Sequence, residues 1–380
     1  MDVTLEIPGK LVDKAGILLD RIPYLSEMIT AVSYDKEAHA VHLTVSDCDQ
    51  HSAPLNELRA SYQELCVSLE HTRVIKERVV KSNIGEESSM ETAATTEADA
   101  APQGYYDEFD IRLLEKLDEQ FLRIAMSYGA ALRDYPSVLN KNNMDRNQYH
   151  IHFPQNIYGV VSVPHNYQSI NHFRANAQQE SYDDSLCFHG DVLQPCICYH
   201  CYEELQGKKL TTETILTGKG RCFRHEIEWR KNNFRRNEFT MREIVYVGKE
   251  DWVVTMRNQI MEDVWRFFES LGMKGRIATA TDPFFFSQDL KTKGAYQMMS
   301  NAKYELLVTT SSNKEVSIAS FNYCADTLCS KYEITDTADA LLQSGCVAFG
   351  MDRWKEAYID VHGRSLSQWP DNQIEKELLV

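Results

Sequence analysis

Val3-Thr4-Leu5-Glu6-Ile7 alternates apolar and polar positions with period two and stops at Pro8-Gly9, which predicts a strand. Ala40-Val41-His42-Leu43-Thr44-Val45 alternates in the same way, and residues 10–31 read as a helix. From Ala53 to Leu69 the apolar positions Leu55, Leu58, Tyr62, Leu65 and Leu69 recur at helical spacing. Residues 1–82 therefore form a small α/β module; it carries no catalytic motif, and Cys66 belongs to its core. A second amphipathic stretch covers residues 107–130, with Leu114, Leu117, Phe121, Ile124 and Ala125 on one face. Beyond it, short β-rich runs such as Val160–Val163 and Glu243–Val247 alternate with helices, of which Asp251–Leu271 is the longest.

Between the two patterns, residues 83–102 are rich in Ala, Thr, Ser and Glu and hold no aromatic residue. Such a segment buries too little apolar surface to fold alone, so it reads as a flexible acidic linker before a domain at 103–380. No run of about 18 apolar residues occurs, and the N-terminus lacks a long apolar stretch, so neither a membrane span nor a signal peptide is expected. The expected location is cytoplasmic, where the ten cysteines stay reduced and serve in metal binding or burial. The net charge of −16 leans against a nucleic-acid partner, because phosphate contacts supply most of that affinity and need a basic face. Neither of the usual glycine-rich phosphate loops is present, so a nucleotide here needs a different grip.

The chemistry concentrates in Gly220–Gly248, which reads as a strand (Cys222–Glu226), a basic turn and a return strand (Glu238–Val247). Side chains alternate along a strand, so Arg224 and Glu226 share one face. An Arg and a Glu placed together on a central sheet need either each other or a polar ligand.

Phe-Arg-x-Glu, a variable loop, Arg235, Phe239 and Arg242-Glu243 in that order resemble motif 2 of class II aminoacyl-tRNA synthetases. The resemblance implies an α+β catalytic core, an antiparallel sheet flanked by helices. It implies that Arg224 contacts the ATP α-phosphate and Glu226 the adenine amino group, that Arg235 clamps the β- and γ-phosphates and that Phe239 stacks on adenine. A planar guanidinium suits this work, since it binds phosphate bidentately and stabilises charge developing at phosphorus. Gly345–Trp354 is similar to motif 3, with Arg353 as the γ-phosphate and adenine contact, which makes Arg224 and Arg353 the expected catalytic pair. Pro136–Leu139 through Phe153-Pro154 is matched to motif 1, the dimer-forming helix and strand that end at a proline. Glu315, with Ser320 or Asn322, falls in the expected ATP and Mg²⁺ neighbourhood.

Cys196-Ile-Cys198-Tyr-His200-Cys201 could pass for a local zinc knuckle, but no second CxxC or HxxxH pair lies nearby. The chain also resembles methanogen-type seryl-tRNA synthetases and amino acid:[carrier protein] ligases, which implies a Cys–Glu–Cys zinc site. Cys198, Glu243 and Cys346 occupy those places here. Three protein ligands leave one tetrahedral position open, as in a site that binds substrate, and the resemblance puts the substrate's amino group there. As alternatives, Cys346 is a core residue and Glu243 an ion-pair partner of Arg242.

Arg221-Cys-Phe-Arg-His-Glu, Phe239-Thr-Met-Arg-Glu, Thr281-Asp-Pro-Phe-Phe, Lys303-Tyr-Glu-Leu and Ala319-Ser-Phe-Asn-Tyr bring the chain closest to the carrier-protein ligases, over about residues 107–363. That resemblance implies formation of an aminoacyl adenylate from ATP, transfer to the phosphopantetheine thiol of a carrier protein, and a homodimer. The stretch Tyr323-Cys324-Ala325-Asp326 departs from the family's His-containing version, and the N-terminal module is extra relative to short ligases. A zinc-dependent seryl-tRNA synthetase and a non-catalytic synthetase-like binding protein are the competing readings.

Overall fold

The computed structural model describes residues 1–46, 53–70, 72, 75–85, 104–179, 183–282, 290–367 and 369–370. The linker expected at 83–102 lies mostly outside these residues.

The N-terminal module is a three-stranded antiparallel sheet of β1 (Asp2–Glu6), β2 (Ile29–Asp35) and β3 (Ala40–Val45), with β3 in the middle. Helices α1 (Ala15–Arg21) and α2 (Ala53–Leu69) cover one face. Alternation turns Val3, Leu5, Val41, Leu43 and Val45 inward against Leu55, Leu58, Tyr62, Cys66 and Leu69 of α2. The single helix expected over 10–31 is broken up. A 3₁₀ turn (Gly9–Lys14), α1 and a second 3₁₀ turn (Ile22–Tyr24) are followed by β2. Pro23 cannot donate to a helical ladder, and Ile-Thr-Ala-Val-Ser-Tyr is β-branched and alternating, so the chain leaves the helix there.

The second body is built on an eight-stranded sheet. In chain order its strands are β4 (Val79–Ser82), β5 (Ala131–Arg133), β10 (Thr214–Phe223), β11 (Glu238–Gly248), β12 (Gly275–Thr279), β13 (Lys303–Thr309), β14 (Glu315–Ala325) and β16 (Gln343–Gly350). They lie side by side as β4-β12-β13-β14-β16-β11-β10-β5, antiparallel except for the β10–β5 pair. Its edge strand β4 comes from residues before the linker, so the N-terminal segment is stitched into the main sheet. The remaining strands are short. β6 (Val138–Leu139), β7 (Gly159–Ser162) and β8 (Cys187–Leu193) form a small sheet, and β9 (Lys209–Leu210) pairs with β15 (Thr335–Asp336).

Helix α3 (Glu108–Ser127) starts with a capping box in which Asp107 and Asp110 satisfy each other's backbone N–H. With the helix Glu250–Ser270 it packs on one face of the large sheet, as does the C-terminal helix Met351–His362. The opposite face carries Cys198–Leu205 and Thr327–Tyr332. Strand β11 is buried on both sides: Ile244 and Tyr246 join the first core, Val245 and Val247 the second. This is the α+β layout expected, an antiparallel sheet flanked by helices.

One assignment changes. Residues 136–154 hold only β6 and the short helices Lys141–Asn147 and Tyr149–His152. The long helix, strand and proline in that order are α3, β5 and Pro136. The 20-residue amphipathic pattern of α3, rather than the proline at 154, marks the motif.

Candidate active site

The β10–β11 hairpin places Cys222 opposite Phe239. The strand expected over Cys222–Glu226 runs instead from Thr214 to Phe223. Past Phe223, Asn237 holds the turn: its carbonyl accepts the Arg224 N–H at 2.9 Å and its Oδ1 the Glu226 N–H at 3.0 Å. Arg224 donates to the Pro195 carbonyl at 3.3 and 3.4 Å, and its guanidinium lies 5.2 Å from the centre of the Phe239 ring. Arg235 pairs with the Glu226 carboxylate at 2.8 Å. Arg353, in the first turn of the helix at 351–362, donates to the carbonyls of Phe234 and Ser317, each at 2.8 Å. Arg224, Glu226, Arg235, Phe239 and Arg353 thus come together from the loop between β10 and β11, strand β11 and a helix.

Charge in this cluster is unbalanced. Burial, then Arg235 and Arg224, lower the Arg353 guanidinium to about 10, with Glu226 and Glu305 opposing. Guanidiniums that depress one another in a buried place favour an anion between them.

Glu315 is paired within the sheet. Arg276 holds its carboxylate through two bonds of 2.6 and 2.7 Å and also reaches Glu77 at 2.6 Å. Besides Glu226, the carboxylate that acts on Arg353 is Glu305, which Lys303 holds at 3.0 Å while it also binds Asp282 at 2.6 Å. Lys303-Tyr-Glu-Leu and Thr281-Asp were legible as phrases, yet the role of Glu305 needs the β13–β14 register, which sets it opposite Ser320. Asn322 turns to the thiols, with Nδ2 3.4 Å from Cys346 Sγ and 3.1 Å from Ser320 Oγ.

Across β11 from Arg242 lies the thiol–carboxylate cluster. Arg242 is taken by Asp118 of α3, so it is not the partner of Glu243. Glu243 shares its face with Val245 and points at the helix that begins at Cys198. One thiol each from Cys196 and Cys198 and an oxygen of Glu243 lie within 4.8 Å of one another, with the two sulfurs 3.5 Å apart. Cys346 hydrogen bonds with Cys198 and Cys324, and these bonds hold its thiol well below the usual range. Glu243 is 3% exposed and its Oε2 has no hydrogen-bond partner. Burial, then the Cys346 charge, push its carboxyl up to about 8. An orphaned buried carboxylate oxygen among several sulfurs is the donor set of a zinc-type cation, and a cation there would reverse the upward shift. The residues present therefore fit such an ion. The local knuckle does not form, because Cys201 hydrogen bonds with Tyr135 and His200 stacks on the same ring, 5.5 Å between centroids.

No family model matches the chain. It is 31% identical over 244 residues to amino acid–[acyl-carrier-protein] ligase 2 of Bradyrhizobium diazoefficiens, covering 62% of this chain and 71% of that protein. The chain belongs to the amino acid–[acyl-carrier-protein] ligase family. It is an enzyme of the ligase class. Ligase 1 of the same organism is 29% identical over 269 residues, covering 68% of this chain and 80% of that protein. The type-2 serine–tRNA ligase of Methanopyrus kandleri is 21% identical over 378 residues, 90% of this chain and 72% of that protein. The solved structure of the M. kandleri seryl-tRNA synthetase with Aquifex aeolicus tRNASec superposes with a TM-score of 0.66 at 19% identity, covering 97% of this chain and 76% of that one. Pyrococcus horikoshii seryl-tRNA synthetase complexed with ATP gives 0.51 at 15% identity, covering 68% of this chain and 53% of that one. These likenesses establish the class II synthetase fold.

In this ligase the N-terminal module touches the active-site loop, which the sequence did not signal. Trp229, between the two motif 2 strands, packs against the core of the module. Arg230 lies 3.9 Å from Asp20. Burial and then the Glu226 carboxylate push the Tyr24 phenol up, so the module reaches the edge of the guanidinium cluster.

Proposed function

We propose that this ligase converts an amino acid and ATP to an aminoacyl adenylate and passes the acyl group to the phosphopantetheine thiol of a carrier protein. The observation that carries this reading is the single side chain linking the two halves of the site. Arg224 belongs to the guanidinium cluster and also holds the Pro195 carbonyl, one residue before the thiols begin. A carboxylate at Arg224 and an amine at the sulfurs are the two ends of one amino acid.

Arg224, Arg235 and Arg353 bind and orient the triphosphate, and Phe239 offers its ring to adenine. Glu226 is held by Arg235 and accepts from the adenine amino group. Positioning and charge neutralisation carry the first step, so no protein nucleophile is needed. Mg²⁺ enters with ATP, and Glu226 and Glu305 are the acidic groups whose charge acts on Arg353. Cys198, Glu243 and Cys346 hold zinc, which when bound supplies a Lewis-acid anchor for the amino group.

Half-exposed apolar side chains on α3, β5, β7 and β8, among them Met126, Leu132, Val161 and Phe188, support a homodimer. The nine described cysteines are free thiols, which supports a reducing, cytoplasmic location. No helix among the described residues is long and apolar enough to cross a membrane.

A second reading is aminoacylation of tRNA. The M. kandleri synthetase solved in complex with tRNASec matches 97% of this chain, N-terminal module included. Against it stands the net charge of −16.

The first experiment is amino acid–dependent ATP–pyrophosphate exchange on the purified, zinc-loaded chain across a broad panel of amino acids. One strong responder is expected; silence across the panel overturns adenylation. The responder is then offered a phosphopantetheinylated carrier protein and total tRNA in parallel. Labelling of the carrier alone supports the first reading, and labelling of tRNA alone replaces it with the second.

A further inference from the structure

The three-ligand zinc set leaves one position of a tetrahedron for substrate. A fourth donor from the chain already faces it. Cys196 Sγ is 3.5 Å from Cys198 Sγ and shares the 4.8 Å group with the Glu243 carboxylate. Among the described residues this is the tightest set of possible metal donors, and Cys346 joins it through its bond to Cys198. The other nearby thiols are placed differently. Cys324 reaches Cys346 and Tyr202, and Cys201 hydrogen bonds with Tyr135.

Cys196 is also held where it is. Gln194 Nε2 donates to the Arg221 carbonyl at 2.7 Å, and Arg224 grips the Pro195 carbonyl, so two bonds fix the backbone just before the sulfur. Glu243 supplies the independent sign of a missing ion, a 3% exposed carboxylate with one oxygen unpartnered. Two sulfurs and a buried carboxylate gathered so closely are compatible only with protonation or with a shared cation.

We propose that Cys196 is a fourth protein ligand of the metal, giving a closed set of Cys196, Cys198, Glu243 and Cys346. This rests on the zinc reading above. Cys196 occupies the position that the three-ligand set would leave to an amino group, so chain and substrate compete for one coordination site. It lies next to the Arg224 contact, where an amino acid with its amine at the metal would extend its carboxylate toward the guanidinium cluster.

The test uses the full chain, wild type and Cys196→Ala, loaded with cobalt(II) or zinc(II) alone. The thiolate-to-cobalt charge-transfer absorbance is expected to fall by roughly one third in Cys196→Ala, three thiolates becoming two. The zinc dissociation constant, from competition with a chromophoric chelator, is expected to rise beyond the ~10–100-fold typical of losing an outer-shell partner. A spectrum and affinity equal to wild type overturn the proposal while leaving the zinc reading intact, provided Cys198→Ala loses the metal. Failure of the wild-type chain to bind either ion overturns both. A second measurement needs no variant: in the wild type, zinc should protect Cys196 from alkylation, and chelation should expose it. Mass mapping that finds Cys196 equally reactive in both states overturns the proposal. Cys187, outside the cluster, is the reference thiol.

Discussion

Arg242 closes on Asp118 across the boundary between β11 and α3, Nε to Oδ1 at 2.5 Å and Nη2 to Oδ2 at 3.0 Å. The pair fixes which face of β11 looks at the helix layer. It therefore fixes that Glu243, the next residue, looks at the thiols. Lys219 adds a third contact to the same carboxylate at 2.8 Å. Asp118→Ala leaves Arg242, 3% exposed, as an uncompensated buried charge. The expected loss is about 3–5 kcal/mol, read as a lower denaturant midpoint at unchanged slope. A loss under 1 kcal/mol contradicts this account of the pair.

Arg224→Ala removes the side chain shared by the two halves of the site. Pyrophosphate exchange is expected to fall by about 10²–10³ or more, the scale of deleting one preorganised charge donor. Arg224→Lys should recover little, because a point charge cannot serve the Pro195 carbonyl and a phosphate with one planar fork. Far-UV circular dichroism and zinc content are measured alongside. Exchange kinetics like those of the wild type would remove Arg224 from the chemistry.

The two acidic residues of the neighbouring strands separate in function. Glu305→Gln is expected to raise the KM for ATP and its Mg²⁺ requirement, since this carboxylate acts on Arg353. Glu315→Gln breaks the two-point bond to Arg276 near the sheet edge, so its effect is expected on thermal stability, with ATP kinetics close to wild type. The reverse pattern returns Glu315 to the nucleotide site that its sequence position suggests.

Asp352 gives a pH dependence with a definite sign. Its Oδ2 accepts the Thr240 N–H at 2.6 Å, Oδ1 is buried without a partner, and burial raises its pKa from 3.8 to about 6. The folded state therefore holds this proton more tightly than the unfolded state. The resulting stability is complete below about pH 4 and lost as the pH rises through about 6. Asp352→Asn keeps an acceptor for Thr240 and removes the buried charge. The variant should be more stable than wild type at pH 7, by on the order of 2 kcal/mol, with the gap closing toward pH 4. Chemical denaturation at pH 4, 5.5 and 7 measures this, and a gap that is flat or widens toward acid contradicts it.

Local physics explains what was legible. The helix at 53–69 matches its predicted span, because Leu55, Leu58, Tyr62 and Leu69 line one face throughout. The break in the helix expected over 10–31 was missed, because residues 10–21 are helical enough to hide the strand behind Pro23.

By itself the sequence determined the α+β class, the order of the motif 2 residues and the thiol and carboxylate types that a metal needs. Those depend on periodicity and residue chemistry, which act over a few neighbours. Only the tertiary structure decided that Pro136 closes the long helix–strand unit, that Glu315 pairs with Arg276 while Glu305 pairs with Lys303, and that Cys196 stands with Cys198 and Glu243. It alone also set Trp229 and Arg230 against the N-terminal module, about 200 residues away in the chain. Each of these is a choice of face or register between distant segments. A one-residue slip reverses such a choice without changing any local pattern, so only the packed sheet fixes it.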